Sequence, residues 1–132
     1  MGKTKSLKYL AILIFTVLLS TCISNDENGI GVSEFASLVE SKECLLIDVR
    51  SPDEYLSGQI DGSATIDFYS PEFEHKFRFI DVNKCMLFYC STGNRSGQAA
   101  HILKQELGFT NIIHLKDGLN AWKDAGYKLV ED

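Results

Sequence analysis

No stretch of this 132-residue chain interleaves clustered Lys or Arg with aromatics, and 13 basic residues against 18 acidic ones leave a net charge of −5. Nucleic acid is therefore not an expected partner, because phosphate binding needs a concentrated positive face. Histidine is scarce as well. Of the three present, His75 reads as a solvated residue on the outer side of a helix, and His101 and His114 have no cysteine or carboxylate at metal-ligand spacing. Neither a metal nor a cofactor is expected. The longest apolar run, Tyr9–Ser20, falls short of the roughly 20 residues that a membrane-spanning helix takes. Only two prolines occur, and both follow a serine, the pattern of a helix N-cap with proline in the first turn.

What is present is the balance of a soluble globular domain, 45% apolar and 23% charged, in a length suited to one core. Ser33 reads as the N-cap of a helix running to about Ser41, with Phe35, Leu38 and Val39 on one face. The run CLLIDVRS from Cys44 has no polar alternation, as expected for a strand buried on both faces of a parallel sheet. Asp48 and Arg50 fall at its carboxyl end, where open α/β sheets bind ligands. Ser51, Pro52 and Glu54 form a capping box that should start a short helix and carry Tyr55 and Leu56 inward. A short strand is expected through Ala64, Thr65 and Ile66, then a second cap at Ser70 and Pro71 with Phe73, Phe77 and Ile80 on a buried helical face. Farther on, Ala99, Ala100, Ile102, Leu103 and Leu107 line a helix that Gly108 ends. Ile112–Leu115 forms a last apolar strand, and Trp122 is a core residue. This alternation predicts an α/β sandwich around a mostly parallel sheet.

The chemistry concentrates in KCMLFYCSTGNRSGQAA, Lys84–Ala100. An apolar strand ends at Cys90, a run of small or polar residues follows, and helical spacing resumes at Ser96. A loop that opens a helix in this way gathers backbone N–H groups around one concavity, to which the helix dipole adds positive potential. The anion placed there would be the sulfur of Cys90. A thiol with an ordinary pKa near ~8.5 is mostly protonated at neutral pH, and lowering it by roughly two units takes about 2.7 kcal/mol. A helix terminus supplies only about 0.3 to 2 kcal/mol. The compact residues Ser91, Thr92, Gly93 and Asn94 must therefore let the backbone curl around the sulfur. The alternative is a buried cysteine before an ordinary turn.

Four residues separate Cys90 from Arg95. Cysteine-dependent protein phosphatases carry five, enough for a tetrahedral phosphate, and the shorter loop suits a single terminal sulfur atom. Cys90, Arg95 and Ser96 resemble the active loop of the rhodanese family of sulfurtransferases. Asp48, Val49, Arg50, Glu54 and Tyr55 resemble a second signature of that family, and Gly118, Trp122 and Gly126 resemble its closing helix. In Gly58–Asp67, Gln59, Asp61 and Ser63 replace the family's usual histidine, proline and alanine.

The resemblance covers about Gly31–Asp132 and implies a three-layer α/β sandwich of five strands flanked by helices, with Cys90 at the sheet's carboxyl edge. It further implies a Cys90 persulfide, loaded by a small sulfur-donor anion or a persulfide and unloaded by a thiol, by cyanide, or by a protein sulfur acceptor. Ser91 to Ser96 would hold the persulfide, and Asp48 and Arg50 would support the loop. Arg95 has two open roles, binding an anionic donor or bracing the loop against a carboxylate. Ser91 stands where many thiosulfate users carry a basic residue, which makes thiosulfate a poor donor. The competing classes are a phosphatase or arsenate reductase, a non-enzymatic persulfide carrier, and a binding module.

At the other end of the chain, Lys3, Lys5 and Lys8 precede the apolar run, and Leu19, Ser20, Thr21 and Cys22 resemble the lipobox of bacterial lipoproteins. That resemblance implies a signal peptide over 1–21, a diacylglycerol on Cys22, a polar tether over 22–31, a domain over 32–132, and anchoring in the bacterial cell envelope facing the periplasm or the surface. An uncleaved signal anchor is the alternative. The mature chain would retain ten basic and eighteen acidic residues, a net charge of −8, so the lipid and not surface charge would hold it to the membrane. A monomer is expected. If the strands that begin at Cys44 and Cys85 are neighbours, as in the family, the two sulfurs start close together at the end opposite the active loop, and either a disulfide or two reduced thiols fits.

Overall fold

A computed structural model describes Asp26 and residues 28–131. The expected signal segment and the lipobox with Cys22 lie outside the described residues. Five strands form one sheet: β1 (Gly29–Ile30), β2 (Leu45–Asp48), β3 (Ala64–Thr65), β4 (Met86–Tyr89) and β5 (Ile112–Leu115), in the order β1-β5-β4-β2-β3. Every neighbouring pair among them is parallel. Parallel neighbours need crossover connections, and four helices supply them: α1 (Val32–Ser41), α2 (Pro52–Leu56), α3 (Phe73–Phe77) and α4 (Asn94–Leu107), while α5 (Gly118–Asp124) follows the last strand.

Strand alternation sorts the core into two layers. Ile47, Met86, Phe88, Cys90 and Ile112 face α3 and α4, where they meet Phe73, Phe77, Ala99, Ala100 and Leu103. Leu46, Leu87, Tyr89 and Leu115 face the other way, against Phe35 of α1 and Leu119 and Trp122 of α5. Both faces are covered, which is why the central strands read as unbroken apolar runs. Trp122 packs edge-on to Phe35 at 6.5 Å between ring centroids and donates its indole N–H to the Lys128 carbonyl at 3.0 Å.

Several local expectations are corrected. Gly31, not Ser33, is the N-cap of α1, and no side chain caps that end. Leu56 is 59% exposed, because α2 ends after five residues and turns Tyr55, not its neighbour, to the Ser63 carbonyl. Helix α3 begins two residues later than a proline at the first helical position would place it, with Glu72 and not Ser70 as the N-cap and the Glu72 amide donating to Ser70 Oγ. The segment expected as a tether is partly structural: Gly29 and Ile30 add an edge strand to β5, Ile30 packs on the Trp122 layer, and the Gly29 amide closes a turn on Asp26. The short strand finds an open edge on β5, and pairing satisfies backbone groups that a free tether would leave to water.

At the amino end of the sheet, Leu45 N–H donates to the Cys85 carbonyl at 3.0 Å. Cys44 and Cys85 are joined there by a disulfide, with Cα atoms 4.7 Å apart, leaving Cys90 as the free cysteine among the described residues. The bridge closes a loop of 41 residues, for which the chain-entropy model gives about 4 kcal/mol. Among the three described cysteines, alkylation followed by peptide mapping is expected to label Cys90 alone before reduction in denaturant and Cys44, Cys85 and Cys90 after it. Equal labelling in the two samples would show that the bridge is absent.

Candidate active site

Cys90 follows directly on the carboxyl end of β4 and is fully buried. The chain then bends through Ser91–Gly93 and enters α4 at Asn94. Two amides aim at the sulfur: Gly93 N–H at 3.1 Å and Ser96 N–H at 3.4 Å from Sγ. The amides of Asn94 and Arg95, in the first turn of α4, have no intrahelical acceptor. A concavity of N–H donors at a fourteen-residue helix's positive end results.

Tight contacts with the turn after β5 give the loop its curvature. Gly93 has φ +93°, and a Cβ there would run into the Lys116 carbonyl. Gly118 has φ +66°, and a Cβ there would strike the Ser91 backbone. The two glycines thus let two turns interlock. Leu119 N–H donates to the Cys90 carbonyl at 2.9 Å and Asn120 N–H to the Ser91 carbonyl at 3.2 Å, which fixes the loop against α5.

Its other side is clamped by α2. Arg95 donates through Nη1 to Glu54 Oε2 at 2.7 Å and through Nη2 to Oε1 at 2.8 Å, and Nη2 also reaches Ser91 Oγ at 3.2 Å. Ser91 Oγ donates to Glu54 Oε1 at 3.1 Å. Glu54 in turn accepts from the Ser51 amide and hydroxyl, so the capping-box carboxylate of α2 is also the brace of the active loop. Hydrogen bonds from Arg95 first, then from Ser51 and Ser91, hold the Glu54 carboxyl well below the ordinary carboxylate range, and Glu54 keeps the Arg95 guanidinium firmly protonated.

Asp48 and Arg50 lie beside this region and away from the sulfur cradle. Arg50 donates through Nε and Nη2 to Asp48 at 2.6 to 3.0 Å and through Nη2 to the Gly58 carbonyl at 2.7 Å. Burial opposes the charge on Arg50, but its bonds to Asp48 outweigh that cost. The guanidinium sits 5.9 Å from the centre of the Tyr89 ring, whose hydroxyl bonds Ile60 N–H and Ser63 Oγ. Burial, with the Asp48 charge, holds that hydroxyl neutral by raising its pKa. Removing one partner from such a buried pair costs about 3 to 5 kcal/mol.

The structure thus brings Cys90, Ser91, Gly93, Arg95 and Ser96 into one contact network, puts Thr92 and Asn94 on its outer rim beside an open cleft, and sets Asp48 and Arg50 in the adjoining scaffold. The sequence places Glu54 in the capping box and in the second family signature but does not pair it with Arg95, and it gives no role to His114, whose buried ring accompanies Ser96. A histidine inside an otherwise apolar strand was the available signal.

The model of the rhodanese-like domain matches residues 31–125. The chain belongs to the rhodanese-like family. Within it, a sulfurtransferase of Allochromatium vinosum is 28% identical over 93 residues, covering 70% of this chain and 84% of that protein. The Bacillus subtilis protein YqhL is 35% identical over 81 residues, or 61% of this chain and 62% of its own length. Among solved structures, a rhodanese-related protein of Thermoplasma volcanium superposes with a TM-score of 0.69 at 28% identity, covering 80% of this chain and 99% of that one. The five-stranded parallel sheet and its flanking helices are the fold of these rhodanese-like structures.

The Glu54 clamp carries a definite pH signature. Its carboxyl pKa is depressed in the fold, so the stabilisation is fully present above the unfolded value of about 4.3 and is lost as pH falls below it. The stability gap between wild type and Glu54→Gln, measured by urea unfolding, should be constant from pH 7 to about pH 5 and shrink below pH 4. Because Glu54 is more than one-third exposed, the gap should be of order 1 kcal/mol. A gap that widens on acidification would contradict the clamp.

Proposed function

We propose that this protein is a sulfurtransferase that carries a sulfane sulfur on Cys90. The observation that supports the reading most directly is the seat of Cys90 Sγ, 3.1 and 3.4 Å from two loop amides in a loop too short for the phosphate cradle of the phosphatases. In the first half-reaction the Cys90 thiolate attacks the outer sulfur of a sulfane donor. A new S–S bond forms as the donor's S–S bond breaks, and sulfite or a thiolate leaves with the bonding electron pair. In the second, a thiol or cyanide attacks the terminal sulfur, and the Cys90 thiolate is the leaving group. Neither step needs a strong general acid, since the leaving groups are stable anions. The loop N–H groups favour the negative persulfide by preorganised hydrogen bonding.

Arg95 is spent on Glu54, and Ser91 contributes a hydroxyl rather than a cation. Arg95 is the one positive side chain within Cys90–Ser96 and it is paired, so a dianion such as thiosulfate is the weaker donor, and a persulfide the better one. The same feature favours passing sulfur to a thiol of a protein acceptor over rapid turnover with small anions. Asp48 and Arg50 act as supports. We further place the protein in the bacterial cell envelope, exported by its N-terminal segment, lipid-anchored at Cys22 and monomeric.

Incubation with a low-molecular-weight persulfide should add one sulfur, about 32 Da, to the intact mass of wild type and nothing to Cys90→Ser. Thiosulfate should load the same site more slowly. No gain with either donor, together with hydrolysis of para-nitrophenyl phosphate, would replace this reading with oxyanion chemistry.

A further inference from the structure

A second chain of polar groups leaves the sulfur through Ser96 and ends 70 residues earlier in the sequence, in the segment expected to be a tether. Cys90 Sγ lies 3.6 Å from Ser96 Oγ, Ser96 Oγ lies 3.0 Å from His114 Nδ1, and His114 Nε2 lies 2.7 Å from Asp26 Oδ1. Ser96 and His114 are buried, and Asp26 is open to solvent. Room for the ring is made by Gly97, where a Cβ would come within 3.2 Å of His114 Cε1. A buried imidazole whose two nitrogens both have partners is held in one orientation, and the carboxylate selects its tautomer. With Asp26 accepting from Nε2–H, Nδ1 is left as the acceptor for the Ser96 hydroxyl.

We propose that Asp26, His114 and Ser96 are a proton path that creates and holds the Cys90 thiolate, with Asp26 and His114 acting as positioning residues through Ser96. The inference rests on Cys90 being the nucleophile of the proposed sulfur transfer. Cys90 S–H passes its proton to Ser96 Oγ while the Ser96 hydroxyl proton passes to His114 Nδ1. One proton has then moved from sulfur to imidazole, and no electrons are gained or lost. The resulting imidazolium donates from Nδ1 to Ser96 and from Nε2 to the Asp26 carboxylate. Ser96 now donates to the thiolate, joining the amides of Gly93 and Ser96. The path runs backward when the thiol is restored.

The charges around this path leave Asp26 as the carboxylate for His114. Lys104 of α4 is engaged by the Asn28 side chain, and Arg95 by Glu54. His101 of α4, with Lys116 and Asp117 beyond β5, lines the open cleft that Asp26 borders. Asp26 is thus both the counter-charge and the end of the path at the solvent. It stands four residues after Cys22, so the part of the chain nearest the expected lipid anchor completes the site.

The test is the rate of Cys90 alkylation by iodoacetamide from pH 5 to 10 in the full chain, its disulfide intact. Asp26→Asn keeps the size and an acceptor oxygen at an exposed position, so folding is preserved while the charge is lost. The rate at pH 7 should fall about threefold in Asp26→Asn and about tenfold in His114→Asn, the latter matching a displacement of the profile by about one pH unit. Coupling is reciprocal, so the His114 ring protons followed by NMR should titrate at lower pH in Cys90→Ser than in wild type. Alkylation profiles that superpose for wild type and Asp26→Asn, with an unchanged His114 titration in Cys90→Ser, would reduce the chain of contacts to packing and overturn the proposal. Alkylation reads the thiolate and needs no sulfur donor. A displaced profile without any gain of 32 Da would therefore uphold the path and count against sulfur transfer alone.

Discussion

A sulfur atom with negative charge, removed from water, has to be surrounded by donors that cannot turn away from it. Backbone amides meet this need better than side chains do, because their directions are set by the chain itself and no reorganisation follows when charge develops. The rest of the molecule is arranged around that requirement. The parallel sheet places the end of β4 beside a helix N-terminus, and Gly93 and Gly118 allow the loop and the turn after β5 to approach at backbone distance. The Glu54–Arg95 pair closes the open flank. Cys90 has no freedom to leave the cradle, and the loop has little freedom to open.

Rigidity at one end of the sheet is matched at the other. The Cys44–Cys85 bridge joins the starts of β2 and β4, and the buried Asp48–Arg50 pair ties the far end of β2 to Gly58. The strand that carries Cys90 thus has constraints beside both of its ends. An oxidised bridge and a reduced Cys90 can coexist because they lie at opposite edges of the sheet. The fold separates two kinds of sulfur chemistry by the length of a strand.

Much of this was legible in the chain because it depends on local order. The four-residue spacing from Cys90 to Arg95 defines the loop, Ser51-Pro52-Glu54 defines the start of α2, and the unbroken apolar runs announce strands covered on both faces. Interactions set by three-dimensional proximity were harder to read. Glu54 could be assigned to its capping box from spacing alone, but its second partner, Arg95, is 41 residues away. His114 sits between Ile113 and Leu115, and its carboxylate is 88 residues distant. Polar, glycine-bearing composition suggests a tether from Ile23 to Gly31, yet Gly29 and Ile30 pair with β5. Leu56 follows the helical period of α2, but a helix of little more than one turn has no room to bury both Tyr55 and its neighbour.

The central claim is that the loop amides form the seat of a charged terminal sulfur, and a crystal structure of the Cys90 persulfide tests it most directly. The account predicts that the outer sulfur lies inside the loop, within hydrogen-bonding distance of the amides of Asn94 and Arg95, with the Arg95–Glu54 pair intact. An outer sulfur turned out of the loop towards solvent, or an Arg95 that leaves Glu54 to bind it, would contradict that claim.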